Sequence, residues 1–259
     1  MLRINKIIIY DEPTVPEIQI EKLKEFLTIT FPIKVEIRKK IFDTQKEEVF
    51  EKIASTRIFD LKKPFQKHNP SQIEIDFEKE NIDVTQQEEM FLYDGFKIQE
   101  IISKEISNKE NNLDTLHIVF TNKLTCTFDE NDLRYHARAI INSNPTIIST
   151  SGIVEAPAKP KEYYMELMTD FSKERTNEIK EKYKGKFLEH HDSRMSQIIE
   201  GYLLQSIMYQ ETGDEFCEDK NCRLYNTHWQ KDLLYTQLEN KKFCQKHLEI
   251  INELSNSSD

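Results

Sequence analysis

The spacing of apolar and polar positions divides the chain into recognisable elements. Residues 3–10 (RINKIIIY) end in a short apolar run that predicts a strand. Residues 17–29 place Ile20, Leu23 and Leu27 on one helical face, and residues 33–38 (IKVEIR) alternate as a half-buried strand does. Together they predict a βαβ unit, a sheet with a helix packed on it. A helix is expected over 43–57 and another over 94–107, where Phe96, Ile98, Ile101 and Ile102 form the apolar set. The stretch 60–90, with Pro64 and Pro70 and many charges, reads as an insertion or long loop carrying a short strand at 73–77. Strands are expected at 115–121, 133–141 and 146–150, and an ordered loop at 151–162. A charged helix follows over 162–183. The next helix, 192–211, should be capped at Asp192 and end at Gly213. Its apolar arc from Met195 to Met208 is broad enough for burial on most sides. The polar residues 254–259 are expected to be a disordered tail. The fold class is therefore α/β (α+β), a mixed sheet with packing helices.

Composition narrows the function classes. At 259 residues the chain can bury one large core. With 36 Lys+Arg against 46 Asp+Glu its net charge is −10, which disfavours a nucleic-acid partner held by a positive face. Only 5 glycines occur, and neither G-x-G-x-x-G nor G-x4-G-K-[ST] is present. No apolar run approaches a membrane span, and the N-terminus lacks the features of a secretory signal. A cytoplasmic, reducing setting is expected, which favours metal over disulfides for the cysteines.

Those cysteines carry the strongest chemical signal. Cys217, Cys222, Cys244 and His247 read C-x4-C, 21 residues, then C-x2-H. Thiolate and imidazole are the donors Zn²⁺ prefers, and four of them close a tetrahedral structural site with no open position for water or substrate. Two disulfides or unpaired thiols would leave His247 unexplained. Cys126, the remaining cysteine, reads as a small buried hydrophobe. We expect one structural zinc ion stapling a segment at 213–250 onto a domain spanning 1–212.

A buried helix, a glycine, a Cys-x4-Cys and a distant final pair in this order resemble the archaemetzincins, zinc metallopeptidases of the metzincin group. Segments such as ISTSGIVEAPAKPKEYY and FCEDKNCRLYNTHWQ are similar to those of an uncharacterised archaeal family of metallopeptidase type. The resemblance implies a zincin-like fold with a catalytic helix of the form H-E-x-x-H-x-x-G-x-x-H-C. Cys217 and Cys222 then match the first cysteine pair, Gly213 the motif glycine, and Cys244 and His247 the last pair, with His in place of Cys. Counting back from Cys217 puts the metal histidines at Ser206, Gln210 and Phe216 and the general-base Glu at Ile207. None can do that chemistry, and no H-E-x-x-H occurs elsewhere.

Other groups could carry chemistry. His190 and His191 precede Asp192, Glu200 lies on the long apolar helix, where Arg134, Arg138 or a Lys could pair with it, and His136 shares a strand face with Arg134 and Arg138. His228 follows the Cys-x4-Cys turn and could donate to a bound thiolate. The run Ser149-Thr150-Ser151-Gly152 lacks a nucleophile-elbow motif. The leading expectation is a pseudoenzyme that binds a peptide or protein in its cleft. The alternatives are a metal-dependent hydrolase with ligands relocated among His136, His190, His191, His228 and Glu200, and a zinc-stapled adaptor for nucleic acid suggested by the Lys-rich stretch 159–186.

Overall fold

The computed structural model describes residues 3–12, 14–42, 46–80, 90–169 and 172–256. The opening unit forms as its periodicity predicts: β1 (Lys6–Asp11) and β2 (Lys34–Lys39) run parallel and are joined by α1 (Ile20–Thr30). After them come α2 (Glu47–Ala54), β3 (Arg57–Ile58), α3 (Gln72–Lys79), β4 (Leu92–Asp94) and α4 (Gly95–Glu105). The middle of the chain supplies β5 (Thr115–Thr121), β6 (Leu124–Asp129), β7 (Arg134–Ala137), β8 (Ile140–Ile141) and β9 (Thr146–Ser149). The helical C-terminal part comprises α5 (Thr150–Glu155), α6 (Lys161–Leu167), α7 (Lys173–Tyr183), α8 (Met195–Thr212), α9 (Gln230–Leu234) and α10 (Gln245–Ser255).

The main sheet has the order β2-β1-β5-β9-β8, parallel except for the edge strand β8, which pairs antiparallel with β9. A second sheet runs β3-β4-β6-β7. Successive residues of β1 point to opposite faces. Ile7 and Ile9 meet α1 and α8 through Leu23, Leu27 and Ile198, while Ile8 and Tyr10 meet α2 and α4 through Phe50, Ile53, Ile98 and Ile102. Burial on both faces is why the strand reads as an unbroken apolar run rather than an alternation. From Met195 to Met208 nearly every residue of α8 is buried. The C-terminal segment joins that same core through Leu224, Leu233, Leu234, Ile251 and Leu254. No helix among the described residues is long and apolar enough to cross a membrane.

Several expectations are corrected. Residues 73–77 alternate like a strand but lie in α3, because Ser71 and Glu74 form a reciprocal capping box that starts a helix there. The expected strand 133–141 splits into β7 and β8, which belong to different sheets. The loop expected at 151–162 begins as α5: Ser149 accepts from the Gly152 amide at 2.8 Å, so the Ser/Thr run is a helix cap. Gly152 is required there, since a Cβ would lie 2.0 Å from the Arg138 carbonyl oxygen. The charged stretch 162–183, of which residues 170–171 lie outside the described residues, contains two helices, α6 and α7. Asp192 is not the cap of α8; its carboxylate accepts from the Arg194 amide and guanidinium at 2.9 Å and organises the preceding turn. The expected tail starts inside α10, where Leu254 is buried and Ser255 Oγ donates to the Thr30 carbonyl at 2.8 Å. Residues 43–45 of an expected helix, 81–89 of the expected insertion and 257–259 of the tail lie outside the described residues.

A candidate metal centre beside a cavity

Gly213 ends α8 in the left-handed conformation at φ 83°, and the chain turns back beneath the helix. The Cys-x4-Cys loop is then closed by backbone bonds from Cys217 N to Leu224 O (2.8 Å), Asn226 N to Cys217 O (3.2 Å) and Cys222 N to Asp219 O (2.9 Å). Cys244 stands at the N-cap of α10, which puts His247 on the first turn of that helix. The four donor atoms lie within 4.8 Å of one another. Cys217 Sγ is 3.8 Å from Cys244 Sγ, and His247 Nδ1 is 3.5 Å from Cys222 Sγ and 3.1 Å from Cys244 Sγ. A tetrahedron with Zn–S arms of about 2.3 Å has S–S edges of about 3.8 Å. The donor set therefore fits Zn²⁺ in both chemistry and spacing.

Burial sets the electrostatics of this centre. It pushes the Cys222 thiol up to about 12, opposed by N–H groups of Cys244 and Leu224, and it lowers His247. A neutral imidazole is the form that binds metal. A cation at the centre would favour the thiolates over the buried thiols.

The loop is tied to α8 by one polar network. Arg223 sits next to Cys222; its guanidinium donates to Glu200 at 2.7 Å and to Gln237 Oε1 at 3.3 Å, while Gln237 Nε2 donates to the Arg223 carbonyl at 2.6 Å. Glu200 is thereby explained, with Arg223 as its partner rather than Arg134 or Arg138. Gln237, on a π-helical turn (Tyr235–Asn240), packs directly over Gly201 of α8.

Phe216 and Asn226, which flank the loop, also border a cavity of about 440 Å³. One wall is the strand segment Ala137–Asn142, including β8; a second is the face of α8 carrying Tyr202, Gln205 and Tyr209. Glu215 and Phe216 on one side and Asn226, Thr227 and His228 on the other bring the metal loop into the lining. Desolvation raises the Tyr202 phenol well above its ordinary value.

The positions counted from Cys217 fall one residue away from this helix face. Ser206 is buried with Oγ on the Tyr202 carbonyl at 2.9 Å, Ile207 is in the core, and Gln210 is not among the lining residues, leaving only Phe216 at the cavity. In either register the helix presents no imidazole. The remaining candidates do not converge. His136 bonds Asp132 at 2.7 Å, His190 faces Glu155 at 3.4 Å, and His191 faces Glu17 at 3.2 Å. His228 alone among them lines the cavity, and its carbonyl accepts from Ala158 N at 2.8 Å. Asp129, Asp132 and His136 form a second group of potential metal donors on the β6–β7 hairpin, away from the cavity lining. Cys126 is buried in the second sheet, its thiol pushed up to about 12 by desolvation.

Sequence reasoning missed Asn142, Gln205 and Glu215. Gln205 left a trace, an amide within an otherwise apolar arc. Asn142 and Glu215, 73 residues apart, meet only in the fold, where Asn142 Nδ2 donates to Glu215 Oε2.

The sequence model of a family described as a probable metallopeptidase family (DUF6775) matches residues 3–254. A zinc-dependent peptidase from Methanocorpusculum labreanum is similar in structure, with 14% identity, a TM-score of 0.43, and coverage of 95% of this chain and 100% of that one. Archaemetzincin from Methanopyrus kandleri aligns at 12% identity and a TM-score of 0.43, over 97% of this chain and 95% of that one. No curated protein matches the chain.

Proposed function

From the premise that the chain belongs to this probable metallopeptidase family, we propose that it retains one structural zinc and uses its cavity to bind a peptide or protein segment without cleaving it. The observation that carries this reading is the cavity face of α8, which bears Tyr202, Gln205 and Tyr209. Hydrolysis at zinc needs about three protein ligands, an open position for water and a carboxylate to take its proton. The described lining residues contain one histidine, His228, and one carboxylate, Glu215. That is too few for a ligand set plus a base. Ser206, Ile207, Gln210 and Phe216 cannot supply what is missing.

Binding keeps a physical rationale without catalysis. Strand β8 is the edge of the main sheet and borders the cavity. An edge strand offers unpaired backbone groups on which an extended segment can add. The acidic balance of the chain favours such a partner over nucleic acid. The test is to incubate the zinc-loaded chain with a mixed peptide substrate pool and analyse it by mass spectrometry. Retention of peptides with no new termini is expected. Cleavage that stops on chelation would overturn the reading.

A further inference from the structure

The cavity holds hydrogen-bond acceptors with nothing to accept from. Among the described residues, the buried side-chain polar atoms without a hydrogen-bond partner are Glu78 Oε2, Asn142 Oδ1 and Gln205 Oε1. Glu78 Oε2 is ion-paired with Lys123 Nζ at 2.6 Å, which accounts for it. The other two belong to residues lining this one cavity. Gln205 is only 3% exposed, in the middle of α8. A buried polar group left unpaired is costly to a fold and asks for a reason.

The Asn142 amide has one orientation that its neighbour allows. Asn142 Nδ2 donates to Glu215 Oε2, and a carboxylate only accepts, so the free end of Asn142 is its oxygen. Glu215 is the one carboxylate among the described lining residues, and its side-chain partner is the Asn142 amide rather than a cation. Arg138, the one Lys or Arg in the lining, stands four residues back along the strand wall, with Nε on Thr127 Oγ1 at 2.7 Å. The unpartnered Asn142 oxygen therefore belongs to an amide that touches the Glu215 carboxylate, and Gln205, Tyr209 and Phe216 line the same cavity.

We propose that this cavity contains a subsite for one basic side chain, the guanidinium of arginine or the ammonium of lysine, in the bound segment. This rests on the peptide-binding reading and adds the chemical class it selects. One carboxylate balances one cation, and two amide oxygens suit the several N–H donors that such a head carries. The methylene stem can lie along Tyr209 and Phe216, whose faces also attract the cation.

Affinity selection from a random hexapeptide library, with the full zinc-loaded chain as bait, tests this. Retained peptides should be enriched in Arg or Lys at one position. Replacing that residue by citrulline or norleucine should weaken binding about tenfold, the usual worth of a charge-assisted hydrogen bond. Glu215→Gln should erase the preference. Gln205→Met should also weaken binding, with a melting temperature that does not fall. Retained peptides with no basic preference, or a preference that survives Glu215→Gln, would overturn the subsite and leave peptide binding standing. Failure to retain any peptide would remove both.

Discussion

Gln205 and Glu12 show how single residues depart from what stability alone would choose. Because Gln205 Oε1 is buried without a partner, Gln205→Met should leave the unliganded protein as stable or raise it by about 1 kcal/mol, the scale of an unsatisfied amide. Urea denaturation checks this; a loss of more than about 2 kcal/mol, the scale of an ordinary core residue, would mean the amide has a structural job. Glu12 carries a pH dependence. Desolvation raises its carboxyl to about 7, opposed by the Ile41 amide at 3.1 Å. In the unfolded chain a glutamate titrates at about 4.3. The folded state thus holds this proton more tightly, and its contribution is complete below about pH 4 and lost as pH rises through about 7. The melting temperature should fall between about pH 5 and pH 7.5 more steeply in the parent than in Glu12→Gln; parallel curves would count against the assignment. At this scale the sequence was legible where chemistry follows from residue type. Cys217, Cys222, Cys244 and His247 could be paired by spacing alone. Asn142 and Glu215 could not, because neither residue type is unusual and only the fold brings them into contact.

At the scale of elements, α8 organises both the metal loop and the cavity. One side carries Gly201 beneath Gln237, another carries Tyr202, Gln205 and Tyr209 towards the cavity. An alanine at position 201 would bring Cβ within 1.9 Å of Gln237 Oε1. Gln237 is 2% exposed and anchored to Arg223 at both amide atoms, so it cannot swing aside freely. Alanine gains about 1 kcal/mol of helix propensity over glycine, but overpacking of about 1–3 kcal/mol should outweigh it. Gly201→Ala is therefore expected to lower stability and to loosen the loop at Arg223, seen as faster amide exchange at Cys222–Leu224. Unchanged exchange there would sink the coupling. The periodic elements α1, α4 and α8 were readable because long apolar stripes survive local noise. The strands β3 and β4 were not, since two or three residues contain no period. Helix α3 is hidden in the sequence because the alternation of IEIDF masks a cap four positions upstream of its centre. The corrected start of α8 has a similar cause: Asp192 has a capping side chain but spends it on Arg194.

Across the whole molecule, the proposed zinc at the C-terminal centre would staple the segment to the core, and its removal should be felt at the cavity. Residues 215–216 and 226–228 line the cavity and flank the donor loop. Structural zinc contributes directly to folding. Extraction with a strong chelator should lower the melting temperature and raise amide exchange first over 213–250, before the β1–β2–α1 unit opens; uniform loosening of the chain would argue against a local staple. The α/β class, the βαβ opening and the attachment of the C-terminal segment to the main core follow from patterning and burial. The sheet order and the second sheet do not, because strands distant in sequence pair there. The proposed function requires that this metallopeptidase-family chain hold its zinc in the Cys₃His centre and no metal at the cavity. Zinc per chain, measured by elemental analysis on the parent and on Cys222→Ser, tests it most directly. One ion in the parent and none in the variant is the expected result. Two ions in the parent, or one ion retained by Cys222→Ser, would contradict it.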